Sequence, residues 1–126
     1  MGVTIRAGNL RELFETACQA MFDQIVDRRN LKGRDKIQLR VTGIDLSDLM
    51  INWLRELLFL WNGHQYLVKQ ARVVHIEEKA LNARIAYDPY NPGIHEVLTD
   101  IKAVTYHGID VREAGAWWQA TVIFDV

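Results

Sequence analysis

The chain has 126 residues, 49% of them hydrophobic and 25% charged, which is enough for one domain with its own core across residues 1–126. Fifteen basic residues against sixteen acidic ones give a net charge of -1, which excludes bulk electrostatic attraction to nucleic acid or to anionic membranes, so that any such contact must be local. No apolar run approaches the roughly 20 residues that span a bilayer, and the single cysteine excludes an internal disulfide and is typical of a reducing cytoplasm.

Residues 3–7 alternate apolar and polar side chains and predict a short strand. A helix follows, because Asn9 can cap it and Glu12 completes a capping box three residues later. Apolar residues then recur at helical spacing for about five turns, so that the helix presents one broad apolar face to a core. Cys18 lies on that face, where a buried and inert thiol is expected.

A second strand and a second helix are predicted next. Residues 36–42 alternate strictly between apolar and polar side chains, which is typical of a strand with one wet face. Asp45 or Ser47 caps the following helix, which ends near residues 62–63. Its apolar stripe is so wide that we expect this helix to be the more buried of the two.

The second half of the chain has the period-two pattern of strands. Residues 67–77 and 80–87 predict a hairpin. After a loop that holds both prolines, residues 102–107 and 116–124 predict two closing strands, joined through residues 108–115. Helices early and strands late favour a single α+β domain, in which two amphipathic helices pack on one face of a mostly antiparallel, or mixed, sheet.

Asp125 is the candidate ligand for a metal ion. Alternation along the last strand puts Asp125 on the face opposite Phe124, and the terminal carboxylate of Val126 lies within a few ångströms of it. Two acidic groups at so short a distance repel each other, and binding of a hard cation such as Ca²⁺ or Mg²⁺ relieves the repulsion. One acidic side chain does not make a site, so a second acid from another part of the fold is needed. The alternative interpretation is an acidic residue on a frayed terminal strand.

Lys102 and His95 are the candidates for contact with a phosphate or a partner protein. Lys102 can grip a phosphate or a carboxylate, although a solvated lysine at a strand end is the alternative. His95 follows the proline loop, and ligand-binding residues often lie in loops. His107 lies on a strand, and that position favours a structural, hydrogen-bonded role for it. The spacing of the histidines beside one cysteine is not a zinc pattern, so we expect no zinc.

A basic cluster follows the first helix and comprises Arg28, Arg29, Lys32, Arg34 and Lys36. Cations suit a helix C-terminus and a solvated connection, and contact with RNA or an acidic partner is the alternative. The sequence shows no Gly-rich phosphate loop, no Ser/His/Asp arrangement and no paired catalytic carboxylates. A small metal-dependent hydrolase that uses His95 or His107 is therefore the weakest alternative, because no nucleophile or general base is evident.

Three blocks of the chain resemble the archease family. They are Lys-Ala-Val-Thr-Tyr-His at residues 102–107, Trp-Leu-Arg-Glu-Leu-Leu at 53–58 and Val-Ile-Phe-Asp-Val at 122–126, and residues 10–14 match the family's first helix. The family usually has a strand with a His-Thr-Ala-Asp motif, whose Asp is a principal metal ligand, before the segment equivalent to residues 2–5. This sequence starts at Met1, so we expect that motif to be missing.

The resemblance implies an accessory protein of the cytoplasm and not an enzyme. Archeases act on the 3′-phosphate RNA-splicing ligase, promoting its guanylylation and its multiple turnover in tRNA splicing or RNA repair. The resemblance also implies a site for Ca²⁺ or Mg²⁺ with Asp125 and Val126 as ligands, with Lys102 as the site lysine and with His95 matching a family histidine. RNA contact is expected to be weak or indirect. The alternative is a chaperone-like modulator of tRNA-modifying enzymes such as methyltransferases, acting through surface complementarity.

Overall fold

The structure, a computed structural model, describes residues 1–126 and contains two α-helices and six β-strands. In chain order these are β1 (Gly2–Ala7), α1 (Leu10–Ile25), β2 (Asp35–Thr42), α2 (Leu46–His64), β3 (Tyr66–Ile76), β4 (Ala80–Pro89), β5 (Ala103–Ala114) and β6 (Trp117–Asp125), with a short 3₁₀ turn at Arg28–Asn30. The strands form two three-stranded sheets with the orders β1-β6-β5 and β2-β4-β3, and every pair is antiparallel. The predicted α+β fold is therefore confirmed, with the strands divided between two sheets where one was expected.

Both helices begin at predicted caps. The side chain of Asn9 accepts a hydrogen bond from the backbone N–H of Glu12 at 2.9 Å, and Asp45 does the same for Asp48 at 2.8 Å. At the other end of α2, Gln65 adopts the left-handed conformation with φ of 58°, and its N–H donates to carbonyls of the last turn. Neither helix is both long and apolar enough to cross a membrane.

One core lies between the helices and the sheets. Seven side chains of α1 and nine of α2 are buried in it, which agrees with the wider apolar stripe of α2. Trp53 of α2 is completely buried, and its indole N–H donates to the carbonyl of Phe14 in α1 at 2.9 Å. This bond satisfies the polar atom of the largest core side chain and links the two helices.

The structure differs from the prediction after His107. The pattern predicts a connection at residues 108–115, but β5 continues to Ala114. Between Thr105 and Asp110 the regular pairing with β6 is interrupted by a bulge, and Gly108 within it has a φ of 72°. A bulge shifts the alternation of side chains along a strand, so the period-two signal fails there although the strand does not end.

Candidate functional site

Lys102 and Asp125 meet at one corner of the first sheet. The backbone N–H of Lys102 donates to the carbonyl of Asp125 at 2.7 Å, and Ala103 is the register partner of Asp125. The two residues meet because β5 and β6 are antiparallel, so that the start of one strand lies beside the end of the other. Val126 follows directly, and the structure thereby brings together three of the four residues predicted for the site.

Asp125 points away from the core at this corner. The preceding residue, Phe124, is buried, and successive side chains on a strand point to opposite faces. The strand is also tied to the start of the chain, because Met1 and Phe124 exchange backbone hydrogen bonds of 3.0 and 2.8 Å. The carboxylate is therefore exposed on a well-fixed backbone.

Two side chains of α2 hold the neighbouring part of the corner. Asn62 donates to the carbonyl of Ile101 and Arg55 donates to the carbonyl of Val104, each at 3.2 Å. These bonds fix the backbone on both sides of Lys102, whose own side chain is exposed. None of the four ion pairs of the protein involves Lys102 or Asp125, so both charges are available to a partner.

The corner offers the right kind of donor for a hard cation but too few of them. Ca²⁺ takes about six to eight oxygen ligands, and Asp125 with Val126 supplies only the oxygens of two adjacent residues. Nowhere in the chain do three or more His, Cys, Asp or Glu side chains gather in a way that could hold a metal ion. The corner therefore lacks a cluster of three such side chains, and most ligands of a cation there would have to come from water or from a partner.

His95 lies elsewhere, in a cluster around Asp88. The residue is buried, with 8% of its surface exposed, and its Nδ1 accepts a hydrogen bond from the backbone N–H of Asn91 at 3.0 Å. In the neutral imidazole the proton is therefore on Nε2. His95 and Asp88 line one cavity of about 180 Å³. Neither Lys102 nor Asp125 lines this cavity, and no hydrogen bond joins His95 to either residue.

Asp88 organises the connection before β2, a role that the sequence analysis missed. Its carboxylate accepts hydrogen bonds from the backbone N–H groups of Lys32, Gly33 and Arg34 at 2.6, 2.9 and 3.2 Å. Burial alone would raise the pKa of Asp88, but these three donors outweigh it and hold the pKa below its ordinary value. The only signal in the sequence is an Asp before Pro89, and that pair is common at turns.

The predicted basic cluster is partly neutralised within the chain. Arg28 pairs with Asp23 at 3.0 Å, and Arg29 pairs with Asp27. The segment that follows turns its backbone N–H groups inward to Asp88. These contacts give the cluster a structural role, and the alternative of a partner contact stays a prediction.

Known proteins are similar to this chain over nearly all of its length. The model of the archease protein family (MTH1598/TM1083) matches residues 1–126. A protein archease of Methanosarcina acetivorans is 33% identical over 121 residues, which cover 93% of this chain and 83% of the relative. A protein archease of Pyrococcus furiosus is 31% identical over 131 residues, covering 100% of this chain and 92% of the relative.

Two solved structures have the same fold. The solution structure of Methanobacterium thermoautotrophicum protein 1598 superimposes with a TM-score of 0.83 at 26% identity, covering 99% of this chain and 91% of that one. The crystal structure of a Thermotoga maritima archease, described as a possible chaperone, gives a TM-score of 0.73 at 18% identity, covering 100% of this chain and 90% of that one. At that identity the second likeness shows the fold alone.

Proposed function

The chain belongs to the archease family, and from this membership we propose that it is a non-enzymatic activator of the 3′-phosphate RNA-splicing ligase in the cytoplasm. It promotes guanylylation of the ligase and its multiple turnover in tRNA splicing or RNA repair. The observation that supports the proposal is the corner of the first sheet, where the backbone N–H of Lys102 donates to the carbonyl of Asp125 at 2.7 Å and both side chains are exposed. The single free cysteine, Cys18, supports a reducing compartment.

The two side chains have different roles in this proposal. The ammonium of Lys102 is a compact charge with three donors on a backbone fixed by neighbouring hydrogen bonds. It orients a phosphate or the carboxylates of the ligase. Asp125 and the oxygens of Val126 hold Ca²⁺ or Mg²⁺, which supplies positive charge at the surface that meets the ligase. The chain contributes only part of the ligand set, so cation binding and partner binding strengthen each other.

Guanylylation of the ligase tests this assignment. We expect Asp125→Asn and Lys102→Met each to lower the stimulated rate by about tenfold or more, because losing one charge-assisted contact costs about 1.5–3 kcal/mol. The measurement is the transfer of radiolabelled guanylate to the ligase at a limiting concentration of the accessory protein.

Matched controls carry the same charge changes away from the corner. Glu113→Gln and Lys79→Met replace exposed residues at the other end of β5 and in the turn before β4, and both should stimulate the ligase fully. If Asp125→Asn and Lys102→Met also stimulate fully, the assignment is wrong. That result would favour the alternative, a chaperone-like modulator of tRNA-modifying enzymes such as methyltransferases.

A cation titration without the ligase tests the metal separately. In the wild-type protein, millimolar Ca²⁺ or Mg²⁺ should shift the amide resonances of Asp125 and Val126 in a saturable manner. Asp125→Asn should abolish the shifts, because it removes the only charged side-chain ligand, whereas Glu113→Gln should retain them. Resonances that stay unmoved in the wild-type protein contradict cation binding and leave the role of Lys102 to the guanylylation assay.

A further inference from the structure

A groove of about 730 Å³ crosses the outer face of the second sheet. Polar side chains from all three strands and from α1 line it: Arg11, Gln38, Arg40, Arg72, Asn82 and Arg84. The alternate residues of the same strands, such as Val41 and Ile85, are buried in the core on the other face. The groove is therefore on the face of the sheet opposite the core, and Arg11 reaches it from the first turn of α1.

The strand register places positive charges directly opposite each other in this groove. Arg72 of β3 is the partner of Arg84 of β4. Opposite residues of neighbouring strands have Cβ atoms about 4.5–5.5 Å apart, and like charges in that position are destabilising. Folding by itself would favour a carboxylate or a neutral residue at one of these two positions.

No negative charge within the chain compensates the arginines. None of the four arginines takes part in an ion pair, and no acidic residue lines the groove. Their hydrogen bonds within the chain are few and long: Arg11 donates to the carbonyl of Val74 and Arg40 donates to the amide of Asn82, each at 3.4 Å. A chain with a net charge of -1 thus carries a strongly positive groove whose donors are largely unused.

We propose that this groove binds the phosphate backbone of RNA. Guanidinium groups match phosphate oxygens with paired hydrogen bonds, and the amides of Gln38 and Asn82 add further donors. No aromatic side chain lines the groove, so bases are not stacked there and the contact does not depend on sequence. The choice of RNA among polyphosphates rests on the proposed function, whereas the charge of the groove indicates a polyphosphate of any kind.

An acidic peptide suits this groove less well than a nucleic-acid backbone. Arg clusters also bind acidic peptide motifs, but peptide recognition commonly adds main-chain pairing at a free sheet edge or apolar anchor pockets. The groove runs over β4, the middle strand of its sheet, whose backbone already pairs on both sides. Among its apolar lining residues only Val74 is exposed, since Val73 and Ala83 are buried and Leu39 is half-buried. The backbone of a nucleic acid, with its regularly spaced phosphates, needs neither a free sheet edge nor an apolar pocket.

The test is binding of a short fluorescein-labelled oligouridylate to the isolated protein, followed by anisotropy over a range of salt concentrations. We expect the double variant Arg72→Gln/Arg84→Gln to bind about tenfold or more weakly at low salt. The slope of log affinity against log salt should fall by about 1.4, because each phosphate contact to a single strand contributes about 0.7. Arg72→Lys/Arg84→Lys keeps the charge and should therefore keep the slope.

The matched control is Arg6→Gln/Arg112→Gln, which removes two exposed arginines from the first sheet and should leave binding unchanged. Far-UV circular dichroism should show that both double variants are folded. The proposal is overturned if the wild-type protein does not bind the RNA, if labelled polyglutamate binds in its place, or if the control weakens binding as much as the groove variant. The ligase is absent from this test, so its failure leaves the guanylylation assay of Lys102 and Asp125 unaffected.

Discussion

At the scale of single residues, Asp88 illustrates how a buried carboxylate fixes a connection that has no regular structure. It is 5% exposed and receives three backbone N–H groups from the segment before β2. A buried N–H without a partner is costly, so one side chain satisfies what would otherwise be three unpaired donors. The carboxylate therefore fixes the backbone conformation of residues 32–34.

We expect Asp88→Asn to destabilise the protein by about 1–3 kcal/mol near pH 7, because a neutral amide oxygen replaces the charged acceptor. The lowered pKa of Asp88 in the folded state gives the sign of the pH dependence. The contribution of the carboxylate is complete above the unfolded pKa of about 3.9 and is lost as the pH falls through the folded value. Urea unfolding should thus show a gap between wild type and variant that narrows towards about pH 2.

Asp35→Asn is the control for this prediction, since Asp35 is an exposed residue at the start of β2. It should change the stability by less than Asp88→Asn at neutral pH. An equal gap between wild type and Asp88→Asn at both pH values would show that the charge of Asp88 is not what stabilises the connection.

Cys18 confirms the prediction of a buried and inert thiol. It is 2% exposed on the core face of α1. Burial raises the pKa of the thiol to about 12, which keeps it protonated and unreactive. The position of Cys18 on the apolar stripe of α1 was sufficient to predict this environment, because apolar residues at helical spacing mark the face of a helix that is buried.

At the scale of elements, the bulge in β5 positions a side chain that a regular strand would place differently. Tyr106 lies in the bulge and donates its hydroxyl to the carboxylate of Asp48 in the first turn of α2 at 2.8 Å. The guanidinium of Arg55 lies 4.5 Å from the centre of the Tyr106 ring. The bulge therefore joins β5 to α2 a few residues from the corner that carries Lys102.

Gly108→Ala tests the bulge, with Gly115→Ala as its matched control. Both glycines have φ near +70°, at 72° and 69°, so each substitution should cost about 1–2 kcal/mol of backbone strain. At Gly108 the added Cβ would also lie 2.9 Å from Cδ1 of Ile123, whereas at Gly115 nothing lies within 4 Å. Urea unfolding should show the larger loss for Gly108→Ala.

A double-mutant cycle separates the two costs. Ile123→Val removes the Cδ1 atom, so in that background Gly108→Ala should cost no more than Gly115→Ala does in the wild type. If Gly108→Ala and Gly115→Ala cost the same in the wild-type background, the bulge has room for a methyl group and the close approach of Ile123 does not constrain it.

The elements that could be predicted from the sequence are those that depend on neighbouring residues. Asn9 and Asp45 cap the helices as expected, and the hairpin of β3 and β4 was predicted from alternation and a turn. The bulge after Thr105 could not be predicted, because no local sequence pattern shows where the regular pairing with a neighbouring strand is interrupted.

The candidate site shows the same division between local and distant information. Lys102 and Asp125 meet because β5 and β6 pair, which is information from distant parts of the chain. The face of β6 from which Asp125 projects could be predicted from the alternation of side chains along the strand. The separate location of His95 depends on the path of an irregular loop, which has no periodicity to interpret.

At the scale of the whole molecule, the two sheets divide the proposed functions. The corner of Lys102 and Asp125 belongs to the sheet β1-β6-β5, and the arginine groove belongs to the sheet β2-β4-β3. The helices hold both sheets around one core, so a single domain carries both proposed surfaces. A near-neutral total charge conceals this arrangement, because the charge of the groove is balanced by acids elsewhere.

The central position of β6 also bears on how the protein is made. β1 and β5 each pair within their sheet only with β6, which is the last of the strands to leave the ribosome. All three strands of the sheet β2-β4-β3 are present once Pro89 has emerged, whereas β1 and β5 have no partner strand in their sheet until β6 has been translated. A nascent chain that stalls before β6 therefore lacks the corner of Lys102 and Asp125, and it also lacks the three buried side chains that β6 contributes to the core.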